Sequence, residues 1–213
     1  AFFARSVALT RKAALELGFE EDAKRFEDKR RRLAQAFRSE FFDNNLNVLK
    51  GKETQTAYLL ALAFDLLPQK EIEIAQTKLI SLLESSNTHL RTGFLGTPLL
   101  ADVLQNAGRT DLVYELLFKE TYPSWFYSIN NGATTTWERW NSYSLEEGFN
   151  PQGMNSLNHY AYGTISRWFY EGILGVKPQS AGFKKAVISP QLTSKLSFAE
   201  GSIRTPNGNI DVS

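Results

Sequence analysis

A mainly α-helical chain of stacked helical hairpins, giving way to β-structure near its end, is what this sequence predicts. Three observations carry that reading. Apolar residues recur at helical spacing over most of the chain up to about residue 174. Segments apolar nearly all round alternate with segments apolar on one face only, joined by short loops. After Pro178 the period changes to the two-residue alternation of strands.

Residues 3–17 read as the first helix, with Leu15 and Leu17 before Gly18, a suitable C′ residue. Residues 20–42 are amphipathic: Ala23, Phe26, Leu33, Phe37 and Phe41 share a face, and Glu20, Glu21 and Asp22 open the helix as its dipole favours. The run Lys29-Arg30-Arg31-Arg32 suggests an anion site, but Glu27–Arg31 and Asp28–Arg32 fall at i,i+4, so a solvated, ion-paired face is the better reading. Residues 54–66, TQTAYLLALAFDL, are apolar nearly all round and predict a helix buried on most sides. Residues 70–84 are amphipathic through Ile72, Ala75, Leu79 and Leu82. Thr97-Pro98 predicts an N-cap with proline at the first helical position, in a helix that runs to Ala107 and stops at Gly108. Thr110 is expected to cap the next helix, to about Lys119. A long loop spans about 120–153, and a last helix about 155–174 ends near Gly172 and Gly175. No fixed repeat length accompanies these hairpins.

Beyond Pro178, Ala186-Val187-Ile188 reads as a short strand closed by Pro190. Leu196 and Phe198 alternate with polar residues, and Thr205-Pro206-Asn207-Gly208 is a turn followed by alternating Ile210 and Val212. A hairpin with one bare face is not a finished domain. The expectation is therefore a piece of a longer polypeptide, with a β-sandwich continuing past Ser213.

Composition narrows the function. With 213 residues and 42% apolar content the chain can build a sizeable core. Lys plus Arg is 24 and Asp plus Glu 23, a formal charge of 24 − 23 = +1, which argues against nucleic acid as a partner. There is no cysteine, so disulfides and thiolate metal sites are excluded. No segment is long and apolar enough to predict a membrane span, and the opening AFFARSVAL lacks a signal-peptide layout; the compartment stays open. The two histidines are far apart in sequence and no acid cluster has ligand spacing, so neither a metal nor a cofactor is expected. A nucleophile-elbow motif for Ser/His/Asp catalysis is missing too.

The chemistry concentrates in one loop. Between Tyr122 and Tyr143 lie Trp125, Phe126, Tyr127, Trp137 and Trp140, so three of the four tryptophans fall outside the predicted helices. Aromatic rings beside a carboxylate suit sugars: the C–H face of a pyranose packs on a ring while its hydroxyls need charged or amide partners. In GATTTWERW (132–140), Glu138 sits between two indoles, a placement expected to desolvate the carboxylate and raise its pKa toward general-base duty. Arg139 either opposes that shift or braces the loop. The competing reading is structural, with Glu138 and Arg139 as a loop-anchoring ion pair and the tryptophans as core.

GATTTWERW together with MNSLNHYAYG (154–163) closely resembles two signatures of the α-L-rhamnosidases of glycoside hydrolase family 78. TGFLGTPLLADVL (92–104), YPSWFYSI (122–129) and the tail GFKKAVISP (182–190) resemble the same family in the same order, so the likeness covers the chain from about residue 40. The resemblance implies part of an (α/α)6 barrel of the six-hairpin glycosidase type followed by the start of a C-terminal β-sandwich. On that division residues 1–178 are the second half of the catalytic barrel and residues 179–213 begin the β-domain. It also implies hydrolysis of terminal α-L-rhamnosides with inversion, with Glu138 as general base and His159 in the sugar site. The general acid lies in the earlier half of the barrel, before residue 1, so these residues alone would be inactive, and the rest of the polypeptide or another chain would complete the barrel.

His159 is expected on the last helix, with Asn155 at i−4 and Tyr162 at i+3 giving a polar stripe, and Gly163 letting backbone approach closely. A lone helical histidine is otherwise a packed core residue. Trp125, Trp137, Trp140, Arg139 and Asn155 complete the expected sugar-binding set, and His89 reads as surface. Two other readings remain: another (α/α)6 glycosidase, or a non-catalytic helical-repeat scaffold, which would not explain a loop crowded with Trp and Glu.

Overall fold

The computed structural model describes residues 1–43, 48–51 and 53–213. It divides into two compact units, Ala1–Val103 and Leu104–Ser213.

In the first unit, α1 (Phe2–Glu16) and α2 (Glu20–Phe41) pack as a hairpin, and Gly18 takes the left-handed φ of +77° that ends α1. Phe42–Asp43 (β1) and Val48–Leu49 (β2) pair antiparallel. The helix predicted over 54–66 is α3 (Gln55–Ala63), capped by Thr54, whose hydroxyl accepts from the Ala57 N–H at 3.1 Å. As its composition requires, none of its residues is exposed. It packs on α4 (Gln69–Glu84). Ala4, Phe64 and Leu66 form a core cluster joined by Leu33, Phe37, Leu60 and Leu99. The basic run is a paired face: Glu27 holds Arg30 (2.8 Å), Arg31 (3.4 Å) and Arg11 (2.8 Å), and Lys29 sits 4.9 Å from the centre of the Phe3 ring. Asp28 pairs with Arg31 (3.6 Å). Glu71, buried, pairs with Arg38 across α4 and α2 at 2.5 Å. His89, expected at the surface, is half-buried beside the Ser86 carbonyl (3.1 Å), because the buried Gln55 amide draws the His89 main chain inward.

α5 (Thr97–Asn106) spans the division between the units. Thr97 is its first residue rather than its cap; the hydroxyl donates back to the Gly93 carbonyl at 3.0 Å.

In the second unit α6 (Thr110–Leu117) buries Leu112, Val113, Tyr114, Leu116 and Leu117. Thr110 does not cap it either, since its hydroxyl bonds Gln191 Oε1 at 3.1 Å. The predicted loop 120–153 contains a short helix, α7 (Trp125–Asn130), which Ser124 caps by accepting from the Tyr127 N–H at 3.0 Å. Trp125 therefore opens a helix. Tyr143–Ser144 (β3) and Gly148–Phe149 (β4) pair within the same stretch.

The predicted helix 155–174 is helical only from Ala161: a 3₁₀ turn (Ala161–Thr164), α8 (Ile165–Trp168) and a π turn (Phe169–Ile173) follow one another. Residues 155–160 do not join it because their main-chain groups are bonded sideways, His159 N–H to the Thr136 carbonyl (2.8 Å) and the Ser156 carbonyl to the Glu138 N–H (2.9 Å). At Gly172 a Cβ would lie 2.2 Å from the Trp168 indole, which is why glycine stands in that turn.

The chain then forms two antiparallel pairs, β5 (Val176–Pro178) with β6 (Ala186–Ile188) and β7 (Gly201–Thr205) with β8 (Gly208–Val212). Tyr114 Oη donates to the Gln191 carbonyl at 2.5 Å and the Gln191 N–H to the Gly172 carbonyl at 2.9 Å, tying the segment between the pairs to α6 and the π turn. Leu196 and Phe198 lie in irregular backbone, not in a strand, and Phe198 is exposed. No residue of β7 or β8 is buried, so their alternation finds no covering layer among the described residues. No described helix is long and apolar enough to cross a membrane.

Candidate active site

Two irregular segments of the second unit are cross-linked to each other, and those links set the site. The first is Thr135–Glu138, leading out of α7; the second is Ser156–His159, leading into the 3₁₀ turn. Glu138 N–H donates to the Ser156 carbonyl at 2.9 Å, and Ser156 N–H donates to Glu138 Oε2 at 3.3 Å. One turn further, His159 N–H donates to the Thr136 carbonyl at 2.8 Å, and the Thr135 hydroxyl bonds the Leu157 carbonyl. These bonds place Glu138 and His159 on neighbouring segments of backbone although they are separated in sequence. His159 is half-buried, its ring stacked on Tyr160 with centroids 5.2 Å apart, and its Nδ1 accepts from the Ala161 N–H at 3.3 Å. That hydrogen bond leaves Nε2 as the position for the ring proton of the neutral imidazole. His159 sits before the helix, so the helical stripe expected with Asn155 and Tyr162 does not form.

The indoles pack as a group. Trp137 and Trp140 are buried, Trp125 half-buried. Trp140 stacks face to face on Tyr162 (3.8 Å, 7°) and meets Trp125 edge-on at 5.2 Å; Trp137 meets Tyr143 edge-on at 6.3 Å. Trp125 Nε1 donates to the Tyr162 carbonyl at 2.9 Å. A pocket of about 440 Å³ opens between α7 and the Ala133–Trp137 segment, walled by Trp125, Ile129, Trp137, Trp140 and Tyr162 with three threonines, 134 to 136. A second, of about 310 Å³, lies against Trp137 with Tyr143, Leu145, Phe149 and Leu157 around it. Neither lining includes Glu138 or His159. At Gly163 a Cβ would stand 3.2 Å from the Thr136 hydroxyl, so the neighbour at that glycine is a side chain and not the backbone expected there.

Arg139 does not pair with Glu138. Its guanidinium donates to the Gly153 carbonyl (3.1 Å) and to Gln152 Oε1 (3.2 Å), and its main chain closes a turn around the buried Ser142. Asn155 Nδ2 donates to the Asn150 carbonyl at 2.5 Å, while its buried Oδ1 has no partner among the described residues.

Tyr162 is the residue sequence reasoning undervalued. Burial pushes its phenol up to about 12, with Tyr122 and Glu138 adding to the shift and Arg139 opposing it. Ser156, whose main chain holds the Glu138 carboxylate, carries no signal of its own because any residue supplies an N–H. No grouping of His, Asp and Glu suited to a metal occurs among the described residues.

The chain matches the bacterial alpha-L-rhamnosidase 6 hairpin glycosidase domain over residues 1–173 and the bacterial alpha-L-rhamnosidase C-terminal domain over residues 175–213. It belongs to the bacterial α-L-rhamnosidase family. An α-L-rhamnosidase of Alteromonas sp. (strain LOR) is 88% identical over all 213 residues, and one of Formosa agariphila 53% over 210. The chain spans about 23% of the length of each of those α-L-rhamnosidases. Among solved structures, the Streptomyces avermitilis α-L-rhamnosidase complexed with L-rhamnose superposes with a TM-score of 0.91 at 39% identity, over 99% of this chain and 20% of that one. The six-hairpin glycosidase fold expected from the motifs is thus the fold of this family.

Proposed function

We propose that the polypeptide carrying these residues hydrolyses terminal non-reducing α-L-rhamnosides with inversion, and that Glu138 is its general base. The observation that supports this most is the bonding of the Glu138 carboxylate to the segment that carries His159, beside an aromatic pocket, in a member of this family. In that reaction the Glu138 carboxylate takes a proton from a water molecule. The water oxygen bonds to the anomeric carbon as the bond to the aglycone oxygen breaks. That oxygen receives a proton from a carboxylic acid on the opposite face, leaving β-L-rhamnose. The two carboxyl groups of an inverting enzyme stand roughly 6.5–9.5 Å apart to admit the water.

Under this reading residues 1–178 are the second half of the barrel, residues 179–213 begin the C-terminal β-domain, and the general acid comes from the remainder of the polypeptide. His159 bonds a rhamnose hydroxyl. Trp125, Trp137 and Trp140 give the sugar or its substituent an apolar wall, the methyl group of rhamnose being the part that most needs one. The test is Glu138→Gln in the full-length enzyme on an aryl α-L-rhamnoside. We expect kcat to fall by orders of magnitude with KM little changed; near-normal turnover removes Glu138 from the mechanism.

A further inference from the structure

The geometry points to Arg139 as a positioning residue for Glu138, acting through the 150–156 loop rather than on the sugar. The inference rests on Glu138 being the general base.

The carboxylate of Glu138 is held by a main-chain donor, the N–H of Ser156, and that donor lies at the end of a turn. Gly153 and Met154 both take left-handed φ there, +74° and +55°. A methionine rarely adopts that conformation, and its side chain is exposed, so nothing in its own packing holds it. Contacts on either side do. Before it, the Arg139 guanidinium grips the Gly153 carbonyl and the Gln152 side chain. After it, Asn155 Nδ2 donates to the Asn150 carbonyl, whose residue is tied in turn to the Ser142 carbonyl by its own N–H at 3.0 Å. Ser142 closes the loop, because its hydroxyl accepts from the Arg139 N–H.

Glu138 and Arg139 are adjacent in sequence and their side chains clamp opposite ends of one strap. Glu138 takes the N–H of Ser156, and Arg139 fastens the turn that fixes where Ser156 stands. Releasing the guanidinium frees the turn and lets the donor drift from the carboxylate. The planar fork matters: two N–H groups reach a carbonyl and an amide at once, which an ammonium can do only in part. A base displaced by about 1 Å can lose about 100-fold in rate with substrate binding intact.

The experiment uses the full-length enzyme and an aryl α-L-rhamnoside, with Arg139→Met and Arg139→Lys each made in the native and Glu138→Gln backgrounds. Arg139→Met is expected to lower kcat about 10–100-fold with KM within about twofold, Arg139→Lys to recover part of that loss, and neither to lower kcat further once Glu138→Gln is present. A rise in KM at constant kcat would make Arg139 a sugar ligand and overturn the proposal, as would a loss that persists unchanged in the Glu138→Gln background. If Arg139→Met does not fold, Arg139→Lys and Gln152→Ala carry the same test, since each removes one N–H contact of the clamp. If Glu138→Gln alone turns over normally, it is the base assignment that fails, and that result is read separately from the Arg139 comparison.

Discussion

Ser156 and Glu138 bond each other reciprocally: the Glu138 N–H donates to the Ser156 carbonyl at 2.9 Å, and the Ser156 N–H donates to Glu138 Oε2 at 3.3 Å. Main chain thus aims the carboxylate, and the same pair of segments carries His159 two hydrogen bonds away.

His159→Ala should lower kcat/KM for an aryl α-L-rhamnoside by about 10–100-fold, the loss expected when a sugar hydroxyl is left without its partner. The melting temperature should change little, because the ring is half-buried and stacks on the exposed Tyr160. Unchanged kinetics would take His159 out of the sugar site.

Tyr162 makes a pH-dependent contribution whose sign follows from its raised pKa. Its phenol ionises near pH 10 in the unfolded chain and at about 12 in the folded one. Below pH 10 both forms are neutral and the contribution is intact. Between pH 10 and pH 12 the unfolded chain releases the proton and the folded one does not, so stability declines as pH rises through that window. Tyr162→Phe should flatten that part of the alkaline stability profile, measured by denaturant unfolding at stepped pH. Identical slopes in the two proteins would mean the phenol is more solvated than its stacking on Trp140 indicates.

Gly172→Ala should destabilise by about 1–3 kcal/mol, the range for forcing extra volume into a packed site. The added methyl would sit 2.2 Å from the buried Trp168 indole, whose Nε1 donates to Gln105 Oε1 at 2.9 Å. Thermal melting of the variant checks it; a neutral result would show that the π turn relaxes freely.

Most of the helical order was legible in the sequence, because apolar spacing reports burial directly. The all-apolar run 54–66 became the helix with no exposed residue, and the 20–42 stripe became α2 with Glu27 gathering three arginines. What misled was local chemistry overridden by longer-range bonds. Thr97 and Thr110 have cap-forming side chains, yet their hydroxyls are spent on Gly93 and Gln191. Residues 155–160 precede a helical run, yet they include Asn155, Ser156 and Asn158, which favour turns, and their main chain is bonded to 136–138 instead of joining the helix. At the site, the residue types of Glu138, His159 and the indoles were visible in the motifs. The clamp by Arg139 was not, since its acceptors are a carbonyl and an amide 13 to 14 residues away.

Under the proposed inverting mechanism, with its acid supplied by the rest of the polypeptide, residues 1–213 produced alone should show no rhamnosidase activity, because such hydrolysis needs an acid opposite the base. Hydrolysis of an aryl α-L-rhamnoside by the isolated segment at the full-length rate would place the acid within it.

Azide tests most directly whether Glu138 activates the attacking water. In full-length Glu138→Ala, hydrolysis of an α-L-rhamnoside with a good leaving group should fall by several orders of magnitude. Azide, which needs no base, should then restore turnover by bonding to the anomeric carbon as the aglycone departs. NMR should identify β-L-rhamnosyl azide as the product. Near-native hydrolysis without azide would contradict the account, as would a product of retained α configuration.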